Sequence, residues 1–538
     1  VKDGFRQAMA WLHTWVGLVF GWLLFAIFLT GTLSYFKNEI TRWTQPEIVP
    51  HAVTTVDSIR LAQGWLQQNA SDAKRWFIRL PDERTPELGV SWAKAKGGFE
   101  EKPLDSLTGT PVLARDSKGG EFFYRFHFQL QMPHPWGRWL ASLAAMAMFV
   151  ALISGIITHK KIFKEFFTFR PRKGQRTWLD GHNAVAVLVL PFHLMITYSS
   201  LVIFMTMIMP ASILTTYGKD TQGFFDDLFP AFKTAPPAPE RAPLAPIAPM
   251  LAVAADKWPG SRVGLITVNN PGSANASVTL TRHGADHIAN EPGTALVFDG
   301  VSGDLKNQTT MSSASLVLAG GLYGLHMGHF AGPLLRWLYF LAGIGGTAMI
   351  GTGLVIWLGK RKLKHAKAGV MPFELRLVEA LNVSGMAGLM LAVVSFFWAN
   401  RLLPTGFAAR SDWEVKVFFY VWAVALLHGF VRVFLRDGRT AWREQLTLGA
   451  LLYCTLPVLD VLTAGDYLLA SLKQGDMTQA ALDATAAATG VFLAWGAFRF
   501  RRDSSAALEG RFTSQDVRRA PGLRHQPDGA SANVREVN

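Results

Sequence analysis

About eight stretches of this chain, near residues 14–36, 137–158, 181–209, 334–358, 376–399, 414–434, 445–464 and 479–499, are apolar and long enough to cross a bilayer. A helix of about 20 apolar residues covers the roughly 30 Å hydrocarbon core. Lipid offers no hydrogen-bond partners, so such runs fold as helices that satisfy their own backbone groups. The expected fold class is therefore an all-α polytopic membrane protein of about eight transmembrane helices, with the lipid bilayer as its constant partner. The first run reads as a span and not as a cleavable signal, because it is too long and no small-residue cleavage site follows it.

Charge orients these spans. The net charge is +14, a value that in a soluble chain would suggest nucleic acid. Here the basic residues sit beside spans, so no nucleic-acid partner is expected. Lys160, Lys161, Lys164, Arg170, Arg172, Lys173 and Arg176 follow the second span, with only Glu165 against them. Lys360, Arg361, Lys362, Lys364 and Lys367 follow the fourth; Arg432, Arg436, Arg439 and Arg443 the sixth; Arg499, Arg501 and Arg502 the eighth. All fall on one side, which the positive-inside rule makes the cytoplasm. Both termini are then cytoplasmic. The resulting division is span one (1–36), an outward insertion (37–135), spans two and three with their loop (136–209), a second outward insertion (210–325), span four (326–360), a four-helix C-terminal region (361–502) and a polar tail (503–538) expected to be disordered. Cys454, the single cysteine, excludes internal disulfides, thiolate zinc sites, iron–sulfur clusters and covalent CxxCH haem.

The first 360 residues repeat. "RWLASLAAMAMFVALISGIITHKKI" from 138 aligns with "RWLYFLAGIGGTAMIGTGLVIWLGK" from 336, pairing Gly155 with Gly353 and His159 with Trp357. "LHTWVGLVF" from 12 aligns with "GHNAVAVLV" from 181, pairing His13 with His182. Each insertion reads as an amphipathic helix (near 55–69 and 247–257), alternating strands ("RWFIRL" and "ELGVSWA"; "RVGLITV" and "ASVTLTR") and an Asp-x-x-[Ser/Thr]-Gly turn ("LDSLTGTPV"; "FDGVSGDL"). The Pro-rich "APPAPERAPLAPIAP" reads as a spacer. Duplicated membrane halves often place a site between them. The last four spans have no such relation.

Histidines in the spans are candidate functional residues, because a polar side chain in hydrocarbon is costly. His182 and His193 lie eleven residues apart. On a straight helix that spacing leaves both on one face, about 16 Å apart along the axis, which suits two cofactors at two depths. Asp460 and His428 are the other intramembrane polar groups noted, with satisfied contacts in the bundle as the expected reading. His51, His283, His287, His365 and His525 lie in polar segments and are expected to be solvated. The Gly-rich "LAGIGGTAMIGTG" permits close helix or porphyrin approach.

The segments "LHTWVGLVFGWLLFAIFLTGTL", "LISGIITHKKIFKEFFTFRP", "LDGHNAVAVLVLPFHLMITYSSL" and "YGLHMGHFAGPLLRWLYFLAG" resemble the PepSY-associated transmembrane family, and within it the members linked to bacterial iron-siderophore uptake. The likeness covers about residues 1–360. It implies that the insertions are periplasmic α+β PepSY-like domains, and that the chain is a bacterial inner-membrane reductase with two haem b groups, releasing iron from ferric siderophores. Low-spin haems commonly take two axial imidazoles from facing helices. His13 and His182, equivalent by duplication, are expected as the inner pair, with His159 as an alternative for either. His193 is expected to pair with His326 of the Leu-His motif at the outer haem. His329, His127 and His134 are the alternatives there, and Gln131 stands where many members carry a second His.

No GxGxxG follows a strand and opens a helix, so the electron donor is expected to be a quinol or a cytoplasmic reductase. Two rival classes are a siderophore or iron transporter without redox chemistry, and a regulatory scaffold whose PepSY-like domains bind proteins.

Overall fold

The structure of the chain, a computed structural model, describes residues 4–516 except 49–50, 52, 160–165, 167, 171–172, 292, 312 and 366–370, with backbone alone at 501–516. Lys160, Lys161, Lys164, Glu165, Arg172, Lys367, His525 and the tail beyond 516 lie outside the described residues. The helix expected to end near 499 continues as backbone to Asp516.

The chain opens with α1 (Phe5–Ser34) and the short α2 (Lys37–Thr44). The first insertion follows as α3 (Thr55–Asn69), β1 (Arg75–Arg79), β2 (Leu88–Ala93) and β3 (Phe99–Leu104). Then come α4 (Gly119–Gln129), α5 (Trp136–Thr158), α6 (Gln175–Leu188) and α7 (Leu190–Ile203). The second insertion holds α8 (Met250–Lys257), β4 (Val263–Asn269), β5 (Ser277–Arg282), β6 (Ala295–Asp299) and β7 (Leu305–Thr309). It leads to α9 (Ala314–Met327) and α10 (Pro333–His365). The C-terminal region is α11 (Phe373–Leu402), α12 (Arg410–Leu435), α13 (Gly438–Lys473) and α14 (Thr478–Phe500).

Among the described residues, α1, α5, α10, α11, α12, α13 and α14 are long and apolar enough to cross a membrane, 7 in all. α6 and α7, which meet at an angle of 67°, make an eighth crossing only if the bent pair is one span. Pro191 accounts for the break, since it lacks an N–H and its ring crowds the preceding turn. The straight third span expected from the sequence, with His182 and His193 on one face, is corrected by this bend. Span four is corrected too. His326 sits on α9, a separate helix that ends at Gly328, left-handed at φ 62°, before α10 begins.

The strands of the two insertions form one sheet of 7 strands in the order β3-β2-β1-β4-β5-β6-β7, antiparallel throughout. Its seam is the β1–β4 pair, with Ile78 opposite Ile266 and Trp76 opposite Val268. A single core fills one face, with Ile59, Leu66, Trp76, Ile78, Val90, Met250, Ile266, Leu280 and Phe298 all buried. The expected paired Asp turns are present. Asp105 accepts from the Leu107 and Thr108 amides at 2.9 Å, and Asp299 from the Val301 and Ser302 amides at 2.7 and 2.8 Å.

In the helical part, α1 packs against α5 and α10, α6 against α10, and α7 against α5 and α9. The C-terminal helices dock on this unit through α11, where the Trp22 indole donates to Asn382 at 2.9 Å, and through buried charges described below.

Candidate cofactor centres

Four histidines meet in two pairs, one near each end of the repeated unit. At the end that carries Lys360, Arg361 and Lys362, the rings of His13 and His182 have centroids 6.5 Å apart and planes at 70°. At the end next to the sheet, His127 and His326 have centroids 6.1 Å apart and planes at 38°. Fourteen residues of α1 separate His13 from Ile27, which contacts His127, a rise of about 21 Å.

Each ring is held alike. His13 Nδ1 lies 2.8 Å from the Ala151 carbonyl oxygen, and His182 Nδ1 lies 2.9 Å from that of Met349. Ala151 and Met349 are equivalent positions of the repeat. His127 Nδ1 lies 2.8 Å from the Ile27 carbonyl. The Ile196 carbonyl, equivalent to Ile27, stands beside the ring of His326. His326 Nδ1 lies 2.9 Å from Ser199 Oγ, whose own hydrogen goes to the Met195 carbonyl at 2.7 Å. A carbonyl only accepts, so Nδ1 carries the proton in His13, His127 and His182 and Nε2 keeps a free lone pair; at His326 the same tautomer follows when the Ser199 hydrogen is spent on the Met195 carbonyl. Metal-ligating histidines show this pattern, the second nitrogen donating to a backbone carbonyl.

The helices are notched to admit the rings. A Cβ on Gly155 would stand 3.1 Å from His13 Cε1, and one on Gly353 would stand 3.4 Å from His182 Cε1. At Gly31 the clash with His127 Nδ1 would be tighter still, at 2.5 Å. Gly155 and Gly353 are the pair that the aligned spans bring into register.

His193 is placed differently. It is fully buried beside Phe28 and Phe192, at centroid distances of 5.9 and 6.0 Å, and Gly346 leaves room for its Nε2. Neither ring nitrogen has a well-formed hydrogen bond; the Ala342 carbonyl is the polar group beside it. The ring facing His326 is that of His127, so the expected His193–His326 pairing is replaced by His127–His326. The physical reason is position along α7: His326 meets this helix at Ile196 and Ser199, about one to two turns beyond His193. The position equivalent to His193 in the first repeat is Leu24, so only this half carries it.

Of the remaining candidates, His159 caps α5 within electrostatic reach of His182. His134 is exposed ahead of α5. His329 stands between α9 and α10 and, with His127 and His326, lines a cavity at the sheet end. Burial of its inner side, and then the cations of Lys37, Arg84 and Arg336, lower its pKa. His51, His283 and His287 are not merely solvated as expected. His51 pairs with Asp105 at 3.5 Å, His283 with Asp82 at 3.1 Å, and His287 lies 3.2 Å from the Arg282 guanidinium. His365 bonds back to Arg361 on its own helix. His428 meets Glu444 at 2.9 Å and Asp460 accepts from Arg401 at 2.6 Å, the bundle contacts expected of them.

Two imidazoles bonding one metal ion from opposite sides at about 2 Å place their centroids roughly 6 Å apart, in line with both pairs. Two nitrogens do not complete a coordination sphere, and no cluster of three or more His, Cys, Asp or Glu suited to a metal occurs among the described residues. A pair of this kind could hold an iron that brings its remaining ligands with it, as in a porphyrin. The outer pair also opens into a cavity of about 430 Å³, within the usual range for a bound organic group, roughly 300–1,000 Å³.

Residues 10–360 match the family described as the PepSY-associated TM region. An uncharacterized protein of Pseudomonas aeruginosa is 24% identical to the chain over 312 residues, spanning 54% of this chain and 74% of that relative.

Proposed function

This chain belongs to the PepSY-associated TM region family, and on that premise we propose that it is a bacterial inner-membrane electron-transfer protein with two haem b groups that reduces ferric siderophores at its sheet-bearing, periplasmic face. The observation that carries this reading is one imidazole arrangement repeated at two levels, with Nδ1 bonded inward and Nε2 free. His13 and His182 are the proposed inner ligands, and His127 and His326 the outer ones. Each haem, when bound, supplies a one-electron carrier.

The protein's own part is positioning. The carbonyl bonds of His13, His127 and His182, and the Ser199 hydroxyl at His326, orient the rings, and the carbonyls raise the basicity of Nε2. The glycine notches bring α5 and α10 against the inner rings and α1 against His127. A quinol or a cytoplasmic reductase delivers electrons near His13 and His182, and they leave near His127 and His326. One electron converts Fe(III) to Fe(II), which hard oxygen donors hold less tightly. The resemblance of the four quoted segments to siderophore-uptake members supports this substrate.

The test is haem content. Full-length protein purified from haem-sufficient cells should be red and hold two haem b equivalents per chain, with a low-spin bis-imidazole spectrum that dithionite reduces and a ferric hydroxamate reoxidises. His13→Ala and His182→Ala should each lose one equivalent, the same one. A colourless protein, as a transporter or scaffold would be, ends the proposal.

A further inference from the structure

The outer cavity is chemically two-ended. Toward the middle of the bundle the lining is mostly apolar, with Ile27, Phe28, Met148 and Phe192 beside the hydroxyls of Thr32 and Thr197; toward the sheet stand Lys37, Arg84 and Arg138. No Asp or Glu lines it among the described residues. Two of these cations have carboxylate partners set behind the lining. Lys37 lies 3.3 Å from Glu121, and Arg84 donates to Glu39 through Nε and Nη2, both at 2.8 Å.

Arg138 has no carboxylate partner among the described residues. Its Nε donates to the Gln129 amide oxygen at 3.1 Å, and its guanidinium lies 5.2 Å from the Phe128 ring centroid. Its repeat counterpart, Arg336, occupies the same place at the start of α10 and is paired with Glu39 at 3.0 Å and with the Ala331 carbonyl at 2.8 Å. One half of the repeat thus carries an internal anion for this arginine; the other leaves it open where the cavity reaches the outside. A half-buried arginine without a counter-ion, beside two more cations, favours an anion brought by a ligand.

We infer that the mouth of the outer cavity is a carboxylate-binding site, with Arg138 as its main donor and Lys37 and Arg84 in support. A planar guanidinium matches a carboxylate with two parallel bonds. The carboxylate has two sources: the acid side chains of a porphyrin seated in the cavity, with its apolar body inward, or an iron chelate arriving from outside. The inference rests on the proposed function for what fills the apolar end, while the charge arrangement stands without it.

The experiment uses the full-length haem-loaded protein and the variants Arg138→Gln, Arg138→Lys and Lys37→Gln. Three quantities are read: the midpoint potential of each haem, haem retention during gel filtration, and KM for ferric citrate against a ferric hydroxamate without carboxylates. If porphyrin acid groups sit there, Arg138→Gln moves one potential and sheds one haem faster, with both KM values unchanged. If the chelate sits there, KM for ferric citrate rises about tenfold, as expected for one lost charged hydrogen bond, and that for the hydroxamate does not. In either case Arg138→Lys restores part of the effect and Lys37→Gln gives a smaller one. No change in any of the three quantities for Arg138→Gln and Lys37→Gln overturns the inference and leaves the haem reading intact. A colourless wild type ends the haem reading instead, and calorimetric titration with citrate then tests the mouth alone.

Discussion

Phe122 stacks on Phe396, with ring centroids 5.0 Å apart and planes 13° from parallel. Phe123 stacks on Phe397 in the same way at 5.8 Å, while Phe418 contacts both Phe122 and Phe126. These rings join α4 to α11 and α12. The same short helix presents His127, one turn on from Phe123, to the Ile27 carbonyl. The C-terminal helices, which have no counterpart in the repeat, thereby form the wall against which an outer imidazole is set.

Phe396→Ala should therefore act on the outer centre. Truncating a buried Phe costs about 3–5 kcal/mol, and here it removes the stacking partner of α4. The expected result is a lower melting temperature and early loss of one haem, with the His13–His182 centre retained. Thermal unfolding followed at the Soret band and by tryptophan fluorescence separates the two effects; simultaneous loss of both haems would contradict the clamp.

His193→Leu should keep both haem equivalents, whereas His127→Leu should lose one. Leucine already occupies the equivalent position, Leu24, in the first repeat, and His193 faces Phe28 and Phe192 and not another imidazole. Pyridine haemochrome assays on the two variants decide it. The opposite result would restore His193 as the outer ligand.

A buried charge cluster fastens the C-terminal region to α2. Arg401 donates to Asp460 at 2.6 Å, to the Asn400 side chain at 2.7 Å and to the Trp43 carbonyl at 2.5 Å, and its guanidinium lies 3.7 Å from the Trp43 ring. Removing one partner of such a pair strands the other and costs about 3–5 kcal/mol. Arg401→Met should lower the melting temperature sharply, and Arg401→Met with Asp460→Asn should recover part of the loss. Additive destabilisation in the double variant would show that the two residues are not coupled.

Acid should weaken the sheet through Asp299. The Lys306 ammonium and the Ser302 and Val301 amides hold its carboxyl down at about 2. A carboxyl with a lowered folded pKa adds stability that is complete above roughly pH 4 and is lost as pH falls through the folded value. Asp299→Asn should therefore be less stable than wild type at neutral pH, and the gap should close between pH 4 and 2. Melting curves across that range check the sign, and a gap independent of pH would refute it.

The adjacency of His13 and His182 was legible because duplicated spans make equivalent surfaces, and a residue repeated at one alignment position meets its copy across the pseudo-axis. The outer pair was harder to read, since His127 lies on α4, outside every apolar run. Its signal was nonetheless present: His127 precedes Arg138 much as His326 precedes Arg336. The His182–His193 reading failed because it assumed a straight helix through Pro191. Local patterning placed β1, β2, β4 and β5 but not the β1–β4 seam, which joins distant segments and leaves no local trace in either.

That seam bears on the rival in which substrate moves through the protein. Alternating access rocks one half of a duplicated carrier against the other. Here Arg75 to Arg79 are laddered to Leu265 to Asn269, so the halves share a backbone splint on one side of the bundle. Rocking would have to shear it. The seam favours halves that keep a fixed spacing, which is what the proposed electron relay requires of its two centres.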